Sequence, residues 1–162
     1  MITAYIGVGS NIDRCKHSEV AVKELSKLGS NVRASTIYES DPIGFFGDSF
    51  YNFVVEIQTD LPLQTFAEQL KHIECDWGRP QNSAKFQDRT LDLDLILFGE
   101  QVSQHSPQLP RDDIYKYPFV IQPLYELCPE RVIPADGRNI RQIWQQANNL
   151  SVLKPIETWF EL

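Results

Sequence analysis

Residues 90–99 read TLDLDLILFG, and this stretch decides the fold class because its side chains alternate as they do along a β-strand. One face of the predicted strand carries leucines alone, at Leu91, Leu93, Leu95 and Leu97. The other face carries two carboxylates followed by two large apolar side chains, at Asp92, Asp94, Ile96 and Phe98. The apolar pair argues against a simply solvated second face.

The rest of the chain predicts further strands and helices on both sides of this strand. Before it, the patterns predict a strand over 2–8, a helix over 18–28, strands over 31–38 and 51–59, a helix that begins at 60–62, and a polar loop over 77–88. After it, they predict short helices around 120–127 and 140–147 and an edge strand within 151–162. The order strand, helix, strand, strand, helix, strand predicts a ferredoxin-like α+β sandwich, an antiparallel sheet with helices on one face. We expect residues 1–162 to form a single domain.

Composition and charge exclude several classes of protein. The chain is 42% hydrophobic and 23% charged, as in globular proteins, and its formal charge of −7 argues against general affinity for nucleic acid or anionic membrane. Three separated cysteines argue against a disulfide scaffold and a structural zinc site, and we expect Cys75 and Cys128 to be small core residues. No secretory signal and no apolar run of ~18–20 residues is visible. We therefore expect a soluble, cytoplasmic protein, with a monomer as the default.

Asp92 and Asp94 are candidate ligands of a metal ion. Residues i and i+2 of a strand point to the same side, roughly 6–7 Å apart, so two such carboxylates can share hard cations. Mg²⁺ suits this arrangement because it keeps several waters and takes other ligands from substrate phosphates. The alternative is that both carboxylates lie on the solvated part of a half-exposed strand.

Basic residues flank the same strand and suggest a polyphosphate site. Three of them precede it and two follow it: Arg79, Lys85, Arg89, Arg111 and Lys116. Guanidinium groups bind phosphate oxygens in pairs of hydrogen bonds, and lysine acts as a point charge. For any single residue of this set, an ordinary surface cation is the alternative.

Aromatic and amide side chains suggest a site for a flat heterocycle. Five lie in or after the glycine-containing segment 40–49, and one lies beyond residue 99: Phe45, Phe46, Phe50, Tyr51, Asn52 and Phe119. Aromatic faces commonly enclose such rings while a carboxamide binds their edge. Most aromatic residues belong to the core, so Asn52, an amide inside an apolar strand, is the more informative member.

Residues 89–99, RTLDLDLILFG, resemble the signature of the 6-hydroxymethyl-7,8-dihydropterin pyrophosphokinase family of the folate pathway. The resemblance extends along nearly the whole chain through shorter matches: Gly9-Ser10-Asn11, Asp41-Pro42-Ile43-Gly44, Phe50-Tyr51-Asn52, Ile73-Glu74, Gly78-Arg79, Leu109-Pro110, Pro123-Leu124-Tyr125-Glu126 and Pro129-Glu130. It implies a ferredoxin-like fold and a Mg²⁺-dependent reaction. In that reaction the terminal pyrophosphoryl unit of ATP passes to the hydroxymethyl group of the pterin, and AMP is released.

The resemblance also implies roles for individual residues. Asp92 and Asp94 would hold two Mg²⁺ ions between the phosphates of ATP, and catalysis would also use the phosphate-contacting Arg79 and Arg89. The nucleotide would be bound by Lys71 and Glu74, with positive charge from Lys85 and Arg111. The pterin would lie between Phe50 and Phe119, with its edge bound by Asn52 and its pocket lined by Ser40, Asp41 and Ile43.

Several residues differ from those common in the family. They are Arg111 in place of histidine, Asp112 in place of tyrosine, Tyr117 and Lys85 in place of arginine, Gln81 at another position where arginine is frequent, and Phe86 in place of tryptophan. These changes leave two alternatives open beside the pyrophosphokinase. One is a paralogue that acts on another alcohol, and the other is a pterin- or nucleotide-binding module with reduced catalysis.

Overall fold

A computed structural model describes residues 1–78, 88–147 and 153–162, and within these ranges the chain forms six strands and five helices. The strands are β1 (Ile2–Ser10), β2 (Ser30–Ala34), β3 (Ile37–Ser40), β4 (Phe50–Thr59), β5 (Asp92–Phe98) and β6 (Lys154–Ile156). The helices are α1 (Arg14–Ser26), α2 (Leu63–Asp76), α3 (Asp113–Lys116), α4 (Pro118–Leu127) and α5 (Ile140–Gln146). This order agrees with the predicted ferredoxin-like order, with one strand more among residues 30–40 and with the short α3, which the sequence did not predict.

The strands form one antiparallel sheet in the order β5-β1-β4-β3-β6, and β2 also pairs with β4. β2 and β3 replace the single strand predicted over 31–38. At the break between them, Ser35 keeps its place beside β4, since its N–H donates to the Val54 carbonyl at 2.9 Å and its Oγ accepts the Val54 N–H at 3.0 Å. β6 pairs with β3, which confirms the predicted C-terminal edge strand.

Helices cover both faces of the sheet, which corrects the prediction of helices on one face. Helices α1 and α2 pack on one face around a cluster that includes Leu25 and Phe66. The other face carries buried apolar side chains of its own, among them Tyr5 and Val54, and these pack with α3, α4 and α5. The physical reason is that a sheet with apolar residues on both faces must exclude water from both.

A β-bulge in β5 changes the faces of its last residues. Tyr5 of β1 pairs with Leu97 and the next residue, Ile6, pairs with Leu95, so Ile96 is an extra residue on β5. Phe98 therefore joins the cluster under α1 and α2, and Leu97 joins the opposite one. Strict alternation through residue 98 was wrong, but it holds over Asp92 and Asp94, before the bulge.

Helix α2 confirms the apolar spacing in the sequence, but its cysteine was wrongly predicted to lie in the core. Three predicted core positions of α2 are buried: Phe66, Leu70 and Ile73. Cys75, on the same helix, is exposed and not a core residue, because it lies off that apolar face. Within the described ranges, no helix combines the length and apolar character needed to cross a bilayer, and the longest, α2, has 14 residues.

Candidate active site

The floor of the candidate site is formed where three adjacent strands meet in register. Gly9 of β1 pairs with Asp92 of β5 on one side and with Asn52 of β4 on the other. A Cβ atom at Gly9 would lie 2.9 Å from the Asn52 Oδ1, closer than such atoms pack. The glycine therefore leaves open the space between a carboxylate and an amide that belong to distant parts of the sequence.

A cavity of about 380 Å³ lies above this floor and brings together most of the predicted site residues. Ten of them line it: Ser40, Asp41, Ile43, Phe50, Asn52, Arg89, Asp92, Asp94, Arg111 and Phe119. Arg79 and Lys85 lie outside the described residues, as do Gln81, Phe86 and most of the predicted loop. The cavity thus joins the acidic, basic and aromatic sets that the sequence suggested separately.

Lys71 and Glu74 lie on α2 and are not among the residues that line this cavity. Glu74 is buried, and its Oε2 accepts the backbone N–H of Leu93 at 2.8 Å. This bond ties α2 to β5 between the two aspartates. Lys71 is exposed on the same helix. Their roles toward a nucleotide stay predictions.

The two aspartates form an electrostatically unfavourable pair in the absence of a metal ion. Burial raises the pKa of Asp94 well above its usual range, repulsion from Asp92 adds to the rise, and Arg111 opposes it. A cation between the carboxylates would relieve both effects. In the described part of the chain, no group of three or more Asp, Glu, His or Cys residues forms a metal site. Two oxygen ligands with open space beside them suit Mg²⁺, which keeps waters and substrate oxygens as its other ligands.

Arg111 is held beside this pair by a residue that the sequence analysis missed. Its Nη2 lies 3.4 Å from the Asp94 Oδ1, and its Nε donates to the Asp113 Oδ2 at 2.9 Å. Its backbone N–H donates to the Ile96 carbonyl at 3.0 Å, which fixes the main chain on β5. Asp113 also lines the cavity. The sequence signal that could have identified Asp113 is the run Arg-Asp-Asp over residues 111–113. Helix α3 has four residues, too few for a helical periodicity to show.

The aromatic side of the cavity combines flat apolar surfaces with one fixed amide. The Asn52 Nδ2 donates to the Ser40 Oγ at 2.7 Å, from β4 to β3. The Phe119 ring stacks on the Tyr117 ring with centroids 5.0 Å apart and planes 11° apart. Both rings line the cavity, as does Phe50. An oriented amide among aromatic rings is suited to a planar ligand with hydrogen-bonding edges.

The chain is similar to proteins of known activity along most of its length. A family model described as 7,8-dihydro-6-hydroxymethylpterin-pyrophosphokinase (HPPK) matches residues 5–129. The 2-amino-4-hydroxy-6-hydroxymethyldihydropteridine pyrophosphokinase of Haemophilus influenzae is 35% identical over 139 residues, which are 83% of this chain and 86% of the relative. The protein of the same name from Bacillus subtilis is 33% identical over 156 residues, 91% and 93% of the two chains.

A solved structure shares the fold. The crystal structure of Plasmodium falciparum HPPK-DHPS matches 90% of this chain with a TM-score of 0.66 and 13% sequence identity. This chain spans 43% of that longer chain. The likeness shows the fold alone, and it confirms the predicted ferredoxin-like α+β architecture.

Proposed function

The chain belongs to the 7,8-dihydro-6-hydroxymethylpterin-pyrophosphokinase family, and from this we propose that it transfers pyrophosphate from ATP to 6-hydroxymethyl-7,8-dihydropterin in folate biosynthesis. The observation that carries the proposal is the single cavity that Asp92 and Asp94 share with Asn52, Phe50 and Phe119. The carboxylates are suited to a metal-bound polyphosphate, and the amide and rings are suited to a pterin. A phosphoryl donor and a heterocyclic acceptor can therefore meet in one space.

The pterin half of the site is assigned to Phe50, Phe119 and Asn52. The two rings would pack on the faces of the pterin, and the carboxamide would bind its edge through both a donor and an acceptor. The hydrogen bond from Asn52 to Ser40 fixes the amide before the ligand arrives, which lowers the entropy lost on binding. Asp41 and Ile43 would line the same pocket from the segment after β3.

The phosphate half is assigned to Asp92, Asp94, Arg89 and Arg111. The two carboxylates would hold two Mg²⁺ ions, which would supply charge neutralisation and alignment for the triphosphate. Arg111, aimed by Asp113, would add a cation at the Asp94 side of the cavity. Arg79, Lys85, Lys71 and Glu74 are proposed as further contacts to the nucleotide.

In the proposed reaction, the hydroxymethyl oxygen of the pterin forms a bond to the β-phosphorus of ATP. The bond between that phosphorus and the oxygen shared with the α-phosphate breaks, AMP leaves with that oxygen, and the alcohol proton is released. The residues of the chain contribute by holding acceptor and donor in line and by stabilising phosphate charge, which is where catalysis of phosphoryl transfer resides. We propose that residues 1–162 act as one pyrophosphokinase domain, as a monomer in the cytoplasm.

The experiment that tests the proposal measures AMP formed from ATP, Mg²⁺ and 6-hydroxymethyl-7,8-dihydropterin. We expect turnover by the wild type and a loss of at least ~100-fold in Asp94→Asn, because the carboxylate charge that holds the metal is removed. Asp60→Asn is the matched control, since the Asp60 side chain is 83% exposed and lies off the cavity. A folded wild type that forms no AMP with this pterin would overturn the proposal, and a panel of other pterin alcohols would then identify a different acceptor.

A further inference from the structure

Asn11 lies directly after β1 and joins two segments that contribute residues to the cavity, residues 42–49 and residues 88–91. It is 4% exposed. Its Nδ2 donates to the Asp48 carbonyl at 3.1 Å and to the Asp88 Oδ1 at 2.6 Å. Its Oδ1 accepts the backbone N–H of Arg89 at 2.7 Å. The carboxamide therefore uses both donors and its acceptor, and it does so on residues that are far apart in the sequence.

Backbone hydrogen bonds at Asn11 and Ile12 also bind the segment 88–91, which precedes β5. The N–H groups of Asn11 and Ile12 donate to the Arg89 carbonyl at 3.0 and 3.2 Å. Both polar groups of the Arg89 main chain are therefore hydrogen-bonded: the N–H to the Asn11 side chain and the carbonyl to the N–H groups of Asn11 and Ile12. Arg89 is buried, lines the cavity and precedes Asp92 by three residues. The placement of the proposed phosphate half thus depends directly on Asn11.

The other segment, residues 42–49, belongs to the proposed pterin half. Ile43 and Phe45 of this segment line the cavity, and Phe50 follows it. The segment also lies close to Asp88, because a Cβ atom built on Gly47 would lie 2.6 Å from the Asp88 Oδ1. The two segments meet at close range beside the Asn11 side chain.

We propose that Asn11 is a positioning residue that couples the two halves of the site. The assignment of the two ligands rests on the proposed function, whereas the bridge itself rests on the hydrogen bonds. A ligand that orders one segment orders the other through the shared carboxamide, so the second ligand loses less conformational entropy on binding. By linkage, the nucleotide strengthens pterin binding by the same factor by which the pterin strengthens nucleotide binding.

Arg14, the first residue of α1, provides a matched control because it also holds residues 42–49, through Ser49. Its Nη1 donates to the Ser49 carbonyl at 3.0 Å, and its Nη2 pairs with the Glu39 Oε2 at 2.8 Å. These partners lie on the pterin side. Arg14→Ala should therefore loosen the same segment without removing the bridge to Arg89.

The first experiment is amide hydrogen exchange of the free protein. In Asn11→Ala we expect the Arg89 amide and the amides of residues 48–50 to exchange at least about tenfold faster than in the wild type. In Arg14→Ala we expect faster exchange at 48–50 and the wild-type rate at Arg89. Unchanged exchange at Arg89 in a folded Asn11→Ala would overturn the bridge, whatever the ligands of the site are.

The second experiment measures the dissociation constant of 6-hydroxymethyl-7,8-dihydropterin with and without Mg²⁺ and α,β-methylene-ATP, whose α–β linkage resists transfer. We expect the analogue to tighten pterin binding about fivefold or more in the wild type and in Arg14→Ala, and less than about twofold in Asn11→Ala. Asn11→Asp, which lacks both donated bonds, should lose the coupling as well and serves if Asn11→Ala does not fold. Wild-type coupling in both Asn11 variants would overturn the proposal. A wild type that binds no pterin contradicts the proposed function instead, and the exchange experiment still decides the bridge.

Discussion

The Arg111 guanidinium lies 3.4 Å from the Asp94 carboxylate and is held there by Asp113, which accepts its Nε hydrogen bond at 2.9 Å. The Arg111 side chain thus lies beside Asp94, a carboxylate that the proposed mechanism assigns to metal binding. The Asp113 bond uses Nε and the Asp94 carboxylate lies beside Nη2, so the Nη1 donors of the guanidinium point to a role toward phosphate oxygens. The arrangement supplies positive charge at the Asp94 side of the cavity.

Replacing Arg111 should weaken nucleotide binding more than pterin binding. A charged hydrogen bond contributes roughly 1.5–3 kcal/mol, so we expect Arg111→Ala to raise the KM for ATP by about tenfold or more. Arg111→Lys should recover part of the loss, because it keeps the charge but not the fixed donor geometry. Steady-state kinetics with each substrate varied in turn provides the measurement. Equal KM values for ATP in Arg111→Ala and the wild type would contradict the role of Arg111.

Gly9 should be needed for the pterin half of the site rather than for the fold. A methyl group at Gly9 would press on the Asn52 Oδ1 at 2.9 Å, so we expect Gly9→Ala to weaken pterin binding about tenfold by displacing the amide. Gly7→Ala is the matched control on the same strand, since its methyl would meet the flexible end of Ile96 at 3.3 Å. Titration of the pterin by calorimetry measures both. Equal losses in the two variants would show that Asn52 is not the group affected.

The sequence predicted those parts of the fold that depend on residues close in the chain. Alternation identified β5, the local pattern over 51–59 predicted β4, and the spacing of Phe66, Leu70 and Ile73 identified α2. The bulge at Ile96 could not be predicted, because it is a register shift between β5 and β1 and leaves no mark on the alternation before it. The packing of α3, α4 and α5 on the second face of the sheet could not be predicted either, because the sequence of a short helix does not indicate on which face of the sheet the helix packs.

Within the candidate site, the sequence predicted the residues whose chemistry is conspicuous and missed those that position them. Asp92, Asp94 and Asn52 were identified because carboxylates and an amide are unusual inside apolar strands. Asn11 acts through partners that only the folded chain brings near. Asp113 acts through Arg111, two residues before it, and only the folded chain brings Arg111 next to Asp94. The bonds from Asn11 reach residues 37 and 78 positions away, a distance that no local pattern can show.

The three cysteines should differ sharply in reactivity. Cys15 and Cys75 are exposed, whereas burial raises the pKa of Cys128 to about 12. Since the thiolate is the reactive form, we expect a chromogenic disulfide reagent at pH 8 to modify two thiols quickly in the native protein and the third only after unfolding. Cys128→Ser should leave the fast phase at two thiols, and Cys75→Ser should reduce it to one. Three fast thiols in the native wild type would show that Cys128 is accessible.

Asp136 should contribute stability that depends on pH. Its carboxylate accepts hydrogen bonds from the Arg138 side chain at 2.7 and 2.8 Å and from the Tyr115 hydroxyl at 2.7 Å, and the Arg138 bonds lower the pKa of Asp136 below its usual range. A lowered pKa in the folded state means that the contribution is complete above the unfolded value of about 3.9 and is lost as the pH falls toward the folded value.

Asp136→Asn should therefore lower the free energy of unfolding by about 0.5–1 kcal/mol at pH 7, the range of a surface ion pair. The difference from the wild type should shrink steadily below about pH 4, because protonation removes the charge from the wild-type residue as well. Urea unfolding at a series of pH values measures the difference in the free energy of unfolding. Asp60→Asn is the control, since Asp60 is an exposed carboxylate that lies 3.7 Å from another cation, the N-terminal amine. A constant difference between pH 7 and pH 2.5 would assign the effect of Asp136 to packing and hydrogen-bond geometry instead of its charge.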